Sequence, residues 1–218
     1  MAVEVYENLL TNQQVSDLYE LCGLRTKLIY GGKLRNSILS YFSAMLDKLK
    51  VDPLDVSVRY YNSPRPFAVH SDGLSARGGV KPVNCSVLIP LIWSPASSST
   101  HTIFFDQLDE NPNHSKTFYT HTEGKRFVPG SKKEIPTCTD YTTLINMIDE
   151  PFNQKIYDQQ LSHMNYDDLY GLTVHKSIKW NVGDAIKFES NRLHCSADFG
   201  TDELLTKTHL LFKFDIPK

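Results

Sequence analysis

The sequence lacks the long apolar run and the basic excess that mark membrane and nucleic-acid-binding proteins. Its longest strongly apolar stretch, residues 87–93, is interrupted by Pro90, whereas a membrane-spanning helix needs about 20 apolar residues. The formal net charge is −2, which argues against a general affinity for nucleic acids or membrane surfaces. No basic leader precedes an apolar stretch at the N-terminus, so we expect no signal peptide and a cytoplasmic location.

Cysteine is scarce as well, and its spacing excludes two common kinds of small scaffold. The four cysteines, Cys22, Cys85, Cys138 and Cys195, are scattered and form no C-x-x-C pair. A disulfide framework and a structural zinc knot both need clustered cysteines. The sequence therefore predicts reduced thiols and a fold that depends on its apolar core.

The length and patterning predict a single domain over residues 1–218, with residues 1–52 as N-terminal helical support. Thr11 and Gln14 have the spacing of a helix-capping box, and Gly23 follows as a stop signal. A second amphipathic helix is predicted over residues 34–49 from an apolar stripe at helical spacing.

The remainder of the chain reads as short β-strands interrupted by one long insertion. Alternating segments rich in β-formers occur over residues 55–62, 67–72, 84–93 and 100–107, and strands return from residue 172 onwards. Residues 107–170 are loop-like with short helical patterns. We expect a mainly β sandwich or barrel, and we interpret the insertion as a lid over its mouth because such long connections are usually functional.

The candidate site begins with "FAVHSDG", residues 67–73. In a strand, residues i and i+2 point to the same face, so His70 and Asp72 would present an imidazole and a carboxylate side by side. Two histidines and one carboxylate on one face of a metal form the triad of non-haem Fe(II) oxygenases. His194, in "ESNRLHCSADF", is the natural third ligand.

The His-x-acid pattern is weak by itself, so a bland alternative stays open. His121 and Glu123 repeat the spacing, but no apolar strand precedes them, and we interpret them as a solvated loop. His70 and Asp72 could equally be a hydrogen-bonded pair at a strand end.

Three further features resemble the Fe(II)/2-oxoglutarate-dependent oxygenases, in particular the prolyl-hydroxylase-like and phytanoyl-hydroxylase-like branches. Tyr61 precedes His70, with an aromatic residue between them. The turn at residues 183–184 opens an apolar strand shortly before His194. A basic residue, Lys207, follows on the last long strand.

The resemblance implies a double-stranded β-helix, also called a jelly roll, related to the cupins. It implies that His70, Asp72 and His194 ligate Fe(II) and that Lys207 pairs with the distal carboxylate of 2-oxoglutarate. Tyr61 and His209 would help to hold this co-substrate, although the pattern leaves open whether Tyr60 or Tyr61 faces the site. Lys207 departs from the arginine that is common in the family, and His209 stands where the family often has serine or threonine.

The activity implied by the resemblance is hydroxylation of an unidentified organic substrate with dioxygen, releasing succinate and CO2. Halogenases of this family lack the carboxylate ligand, so Asp72 favours hydroxylation over halogenation. Two alternatives remain. One is a cupin-like metalloenzyme that does not use 2-oxoglutarate, and the other is a non-enzymatic jelly-roll binding module.

Overall fold

The structure is a computed structural model. It describes residues 2–23, 27–29, 32–72, 83–94, 100–108, 126–127, 134–135, 152–169, 172–199 and 206–216. Cys22, Cys85 and Cys195 are buried. None of the helices in these ranges is long and apolar enough to cross a bilayer.

Three helices and eleven strands make up the regular structure of these ranges. The helices are α1 (Asn12–Cys22), α2 (Gly32–Ser40) and α3 (Ser43–Leu49). The strands are β1 (Glu4–Tyr6), β2 (Lys27–Ile29), β3 (Ser57–Ser63), β4 (Cys85–Ser94), β5 (His101–Leu108), β6 (Arg126–Phe127), β7 (Glu134–Ile135), β8 (Val174–Lys179), β9 (Ala185–Glu189), β10 (Arg192–Ser196) and β11 (Thr206–Phe214). Short helical turns span Pro53–Asp55, Gln154–Ile156, Tyr157–Leu161 and Tyr166–Leu169.

Two antiparallel sheets form the body. The major sheet has the order β1-β9-β4-β11-β3-β2, and the minor sheet has the order β10-β5-β8. The chain around His70 adds a fourth position to the minor sheet through an isolated bridge to His194. The core strands thus switch repeatedly between the two sheets, which is the double-stranded β-helix, or jelly roll, that the family resemblance implies.

The predicted strand over residues 67–72 is mostly wrong as a regular strand, since only the His70 bridge forms. Pro64 and Pro66 precede it, and proline has no N–H to donate to a ladder. The backbone N–H of Ser196 nevertheless donates to the carbonyl of Phe67 at 3.1 Å. This contact holds the segment beside β10.

The N-terminal helices cover the outer face of the major sheet. Ile38, Phe42 and Leu46 are buried in one cluster with outward-facing residues of β3, β4 and β11. The rings of Phe42 and Phe212 meet edge to face at 4.8 Å. This packing leaves the inner face of the major sheet to the space between the sheets.

The first helix begins and ends where the sequence predicts. Thr11 accepts a hydrogen bond from the N–H of Gln14, and the side chain of Gln14 accepts one from the N–H of Thr11. Gly23 ends the helix at a positive φ of 73°. The capping box therefore forms as predicted.

The single helix predicted over residues 34–49 is wrong, because it is two helices with a break at residues 41–42. The hydroxyls of Ser40 and Ser43 donate to carbonyls three residues back, at 2.7 and 3.3 Å. Tyr41 and Phe42 also donate to carbonyls three residues back. Serine side chains that bond the backbone in this way compete with helical geometry, and the break directs Phe42 into the core.

The end of the insertion lies on the outer face of the minor sheet. Phe152, Leu161 and Leu169 pack in one cluster with residues of β5 and β10, including Leu193 and Cys195. This face is opposite to the one that carries His194. The lid interpretation therefore stays a prediction for other parts of residues 107–170, most of which lie outside the described residues.

Candidate active site

A cavity of about 290 Å³ lies between the two sheets. Inward-facing residues of β11 form much of its wall, and they are Lys207, His209, Leu211 and Lys213. Because side chains alternate along a strand, the even-numbered neighbours Leu210 and Phe212 point to the helices instead. One face of β11 thus lines the cavity, and its opposite face packs in the outer core.

The three predicted ligands meet at this cavity. One ligand atom from each of His70, Asp72 and His194 lies within 4.8 Å of the others. The two imidazole rings are 4.3 Å apart between centroids. The bridge between the two histidine backbones brings the rings together, since each donates its N–H to the other's carbonyl at 2.9 Å.

Backbone carbonyls orient both imidazoles. Nδ1 of His70 lies 2.7 Å from the carbonyl oxygen of Ala68, and Nδ1 of His194 lies 2.9 Å from that of Arg192. A neutral histidine that donates from Nδ1 carries its lone pair on Nε2. Metal-binding histidines are held by such second contacts, so the arrangement suits ligation through Nε2.

Asp72 is a buried carboxylate with unequal oxygens. Oδ1 lies 3.7 Å from Nζ of Lys213, and the side chain is 8% exposed. Oδ2 is buried and has no hydrogen-bond partner among the described residues. A buried carboxylate oxygen without a partner is costly, and a cation held jointly with the two histidines would satisfy it. The residues present therefore fit a metal ion.

The charges around Asp72 keep it ionised. Burial alone would raise the pKa of this carboxyl, but Lys213, then His194 and His70, outweigh it and lower the pKa to about 2. Burial, followed by the effect of His70, lowers the pKa of His194 to about 4. Near neutral pH the site thus offers a charged carboxylate and a neutral His194, the forms that bind metals.

Lys207 is a buried cation at the other end of the cavity. It is 1% exposed, and its Nζ donates to the carbonyl of His101 and the hydroxyl of Ser196 at 3.3 and 3.4 Å. It also lies 3.8 Å from the ring centroid of Trp180. No carboxylate pairs with it among the described residues, and burial lowers its pKa to about 7. A buried ammonium in this state favours an incoming anion.

The neighbours of Lys207 form an aromatic wall. The rings of Tyr61 and His209 stack at 4.9 Å with an interplanar angle of 17°. Burial, then Lys207, lowers the pKa of His209 to about 3, and its Nδ1 is buried with no hydrogen-bond partner in the part of the chain that the structure describes. Tyr60 instead lies fully buried under the N-terminal helices. Tyr61 is thus the tyrosine at the cavity.

Two residues that the sequence analysis did not assign to the site, Arg59 and Trp180, also line the cavity. Arg59 donates to the hydroxyl of Tyr61 at 3.4 Å, and Trp180 closes the end near Lys207. Period-two alternation along β3 could have found Arg59, since it shares a face with Tyr61. Arg192 is engaged elsewhere, with Glu189 at 2.7 Å.

The His121 motif lies outside the described residues, so its interpretation as a solvated loop stays a prediction.

Comparisons with known proteins give structural likeness only. No family model matches the chain, and no curated protein matches it. Similar solved structures include a Pseudomonas putida prolyl-4-hydroxylase (9% identity, 99% of this chain and 93% of that one, TM-score 0.48). They also include EvdO2 from Micromonospora carbonacea var. aurantiaca (9%, 99% and 87%, TM-score 0.48).

A third similar structure is EctD from S. alaskensis with 2-oxoglutarate and 5-hydroxyectoine (13% identity, 98% of this chain and 72% of that one, TM-score 0.47). Identities and TM-scores this low carry no assignment of activity. The chain is a double-stranded β-helix protein with a His-Asp-His group that could hold a metal ion.

Proposed function

We propose that this chain is an Fe(II)- and 2-oxoglutarate-dependent dioxygenase that hydroxylates an organic substrate. The observation that carries the proposal is the shared cavity. A His-Asp-His group suited to a metal and a buried ammonium that lacks a carboxylate partner among the described residues face the same space. A metal-chelating dicarboxylate would satisfy both.

The chain's own residues have separable roles in this proposal. His70, Asp72 and His194 would hold Fe(II), and two imidazoles with one carboxylate leave positions open for other ligands. Lys207 would pair with the distal carboxylate of 2-oxoglutarate, with His209 and Tyr61 beside it. When bound, Fe(II) and 2-oxoglutarate supply the oxidising chemistry with dioxygen, releasing succinate and CO2.

The walls around the ligands would exclude water from the reaction. Phe104 and Phe188 pack against the ring of His194 at 5.7 and 4.8 Å between centroids.

Lysine contributes a point charge and not the two-pronged contact of arginine. His209, which stacks on Tyr61, would therefore share in fixing the orientation of the distal carboxylate.

The test is calorimetric binding of 2-oxoglutarate to the Fe(II)-loaded protein without oxygen, followed by succinate release in air. We expect His194→Ala to weaken 2-oxoglutarate binding at least about 100-fold, because its metal anchor is lost. His175→Ala is the matched control. His175 lies outside the cavity, where its Nδ1 forms an exposed pair with Oδ1 of Asp106 at a distance of 2.8 Å.

Metal analysis of the Fe(II)-loaded protein, together with these measurements, separates the alternatives. A cupin-like metalloenzyme would bind metal without 2-oxoglutarate, and a binding module would bind neither. Equal loss in His175→Ala and His194→Ala would contradict the assignment of the ligands.

A further inference from the structure

Lys213 is a second buried lysine whose position needs an explanation. It lies on the central strand β11, between Ser57 of β3 and Ser86 of β4, and it is 4% exposed. Burial lowers its pKa, and the charge of Asp72 counters this effect. A lysine is rarely buried unless it is paired, and the partner here is a proposed metal ligand.

The contacts of Lys213 converge on one residue. Its Nζ lies 3.7 Å from Oδ1 of Asp72 and also donates to the backbone carbonyl of Asp72. Asp72 lies two residues beyond the bridge that ties His70 to β10. Lys213 therefore connects both the side chain and the main chain of Asp72 to the rigid centre of the major sheet.

These contacts distinguish the two carboxylate oxygens. Lys213 faces Oδ1, while Oδ2 has no hydrogen-bond partner among the described residues. Oδ2 is therefore the oxygen available to a cation, and the ammonium would oppose a second contact through Oδ1 by competing for that oxygen.

We infer that Lys213 is a positioning residue that restricts Asp72 to ligation through one oxygen. This rests on the proposed function. A carboxylate that bound through both oxygens would occupy one more position on the metal, and an incoming chelating acid would have to displace it. Lys213 thus keeps open the metal position that a co-substrate needs.

The test uses Co(II), whose visible absorption reports coordination number and geometry. Lys213→Met removes the charge at similar length, and Lys213→Arg keeps it. Lys187→Met is the matched control, because Lys187 is a buried lysine of the major sheet that pairs with Glu4 at 2.9 Å, outside the cavity.

For Lys213→Met we expect Co(II) affinity within about tenfold of the parent, an altered visible spectrum, and 2-oxoglutarate affinity of the Co(II) protein reduced by at least about tenfold. Lys213→Arg is expected to retain more of the parent spectrum and affinity, and Lys187→Met to match the parent. If Lys213 only stabilised the fold, its replacement would not reduce 2-oxoglutarate affinity while leaving Co(II) affinity nearly unchanged.

A parent-like spectrum and parent-like 2-oxoglutarate affinity in folded Lys213→Met would overturn the inference. If that variant does not fold, Lys213→Gln, which keeps a donor for the Asp72 carbonyl but no charge, provides the same comparison. A parent protein that binds neither Co(II) nor 2-oxoglutarate would overturn the proposed function at an earlier step, before any variant is compared.

Discussion

The buried charge of Lys207 lowers the stability of the folded protein and at the same time provides a binding site for an anion. Its ordinary pKa of 10.5 falls to about 7 on burial, so burying the charge costs roughly 4 kcal/mol at pH 7. The hydrogen bonds to His101 and Ser196 and the face of Trp180 offset only part of the lost hydration. Functional sites commonly carry such a cost.

We therefore expect Lys207→Met to stabilise the metal-free protein while weakening 2-oxoglutarate binding by two to three orders of magnitude, the cost of losing one partner of a buried pair. The gain at pH 7 is at most about 4 kcal/mol. Urea unfolding measures the first effect and calorimetry the second.

The stability difference also depends on pH with a definite sign. The folded-state pKa is lower than the unfolded one, so the unfolded chain binds more protons between about pH 7 and 10.5. The parent therefore gains stability as pH rises through this window, and the advantage of Lys207→Met shrinks. A variant that is less stable than the parent at pH 7, or a difference that grows with pH, would contradict this account.

Among the elements, the turn before β9 fastens the N-terminal segment to the jelly roll. Gly183 has a φ of +88°, its N–H donates to the carbonyl of Pro90, and its carbonyl accepts from the N–H of Leu10. Asp184 accepts from the N–H of Asn8 at 2.8 Å. The Gly-Asp pair that contributed to the sequence resemblance thus has a structural role.

Gly183→Ala is expected to destabilise the fold by about 2–4 kcal/mol, from backbone strain and a clash. An added Cβ would lie 2.8 Å from the carbonyl oxygen of Leu10. Gly23→Ala is the control, since Gly23 has a φ of +73° but nothing within 4 Å of the added atom. Thermal unfolding compares them, and equal losses would show that the contact with Leu10 is unimportant.

The sequence predicts these elements well where periodicity is local. Alternation identifies the longer strands, although residues 67–72 form only a bridge, and the capping box places α1, because both signals depend on residues a few positions apart. The contact between Asp72 and Lys213 joins residues 141 positions apart, and no local pattern contains it. The break between α2 and α3 was missed because apolar spacing continues through it while the serine hydroxyls decide the backbone.

Across the whole molecule, the proposed metal would join parts of the chain that the fold brings together. His70 and Asp72 belong to a segment with one bridge to the minor sheet, and His194 lies on β10. A ligand that binds only the folded state stabilises it by about 2.7 kcal/mol at 100 times its dissociation constant. Metal binding therefore couples the site to global stability.

At that concentration of Co(II), we expect the melting temperature to rise by about 5–10 °C, the shift typical of this energy in a chain of this size. EDTA is expected to reverse the shift, and Mg²⁺ to have little effect because imidazole suits transition metals better. His175→Ala keeps the shift and His194→Ala loses it. A shift that survives in His194→Ala would place the metal elsewhere.

The indole of Trp180 is a natural fluorophore at the end of the cavity near Lys207. Its indole lies 3.8 Å from a lysine nitrogen and meets the ring of His209 edge to face at 5.5 Å. The chain has only two tryptophans, so this ring is one of two indoles that contribute to the intrinsic fluorescence. An anion that reaches Lys207 changes the electric field on the indole, and the protein's own emission then reports occupancy without an added label.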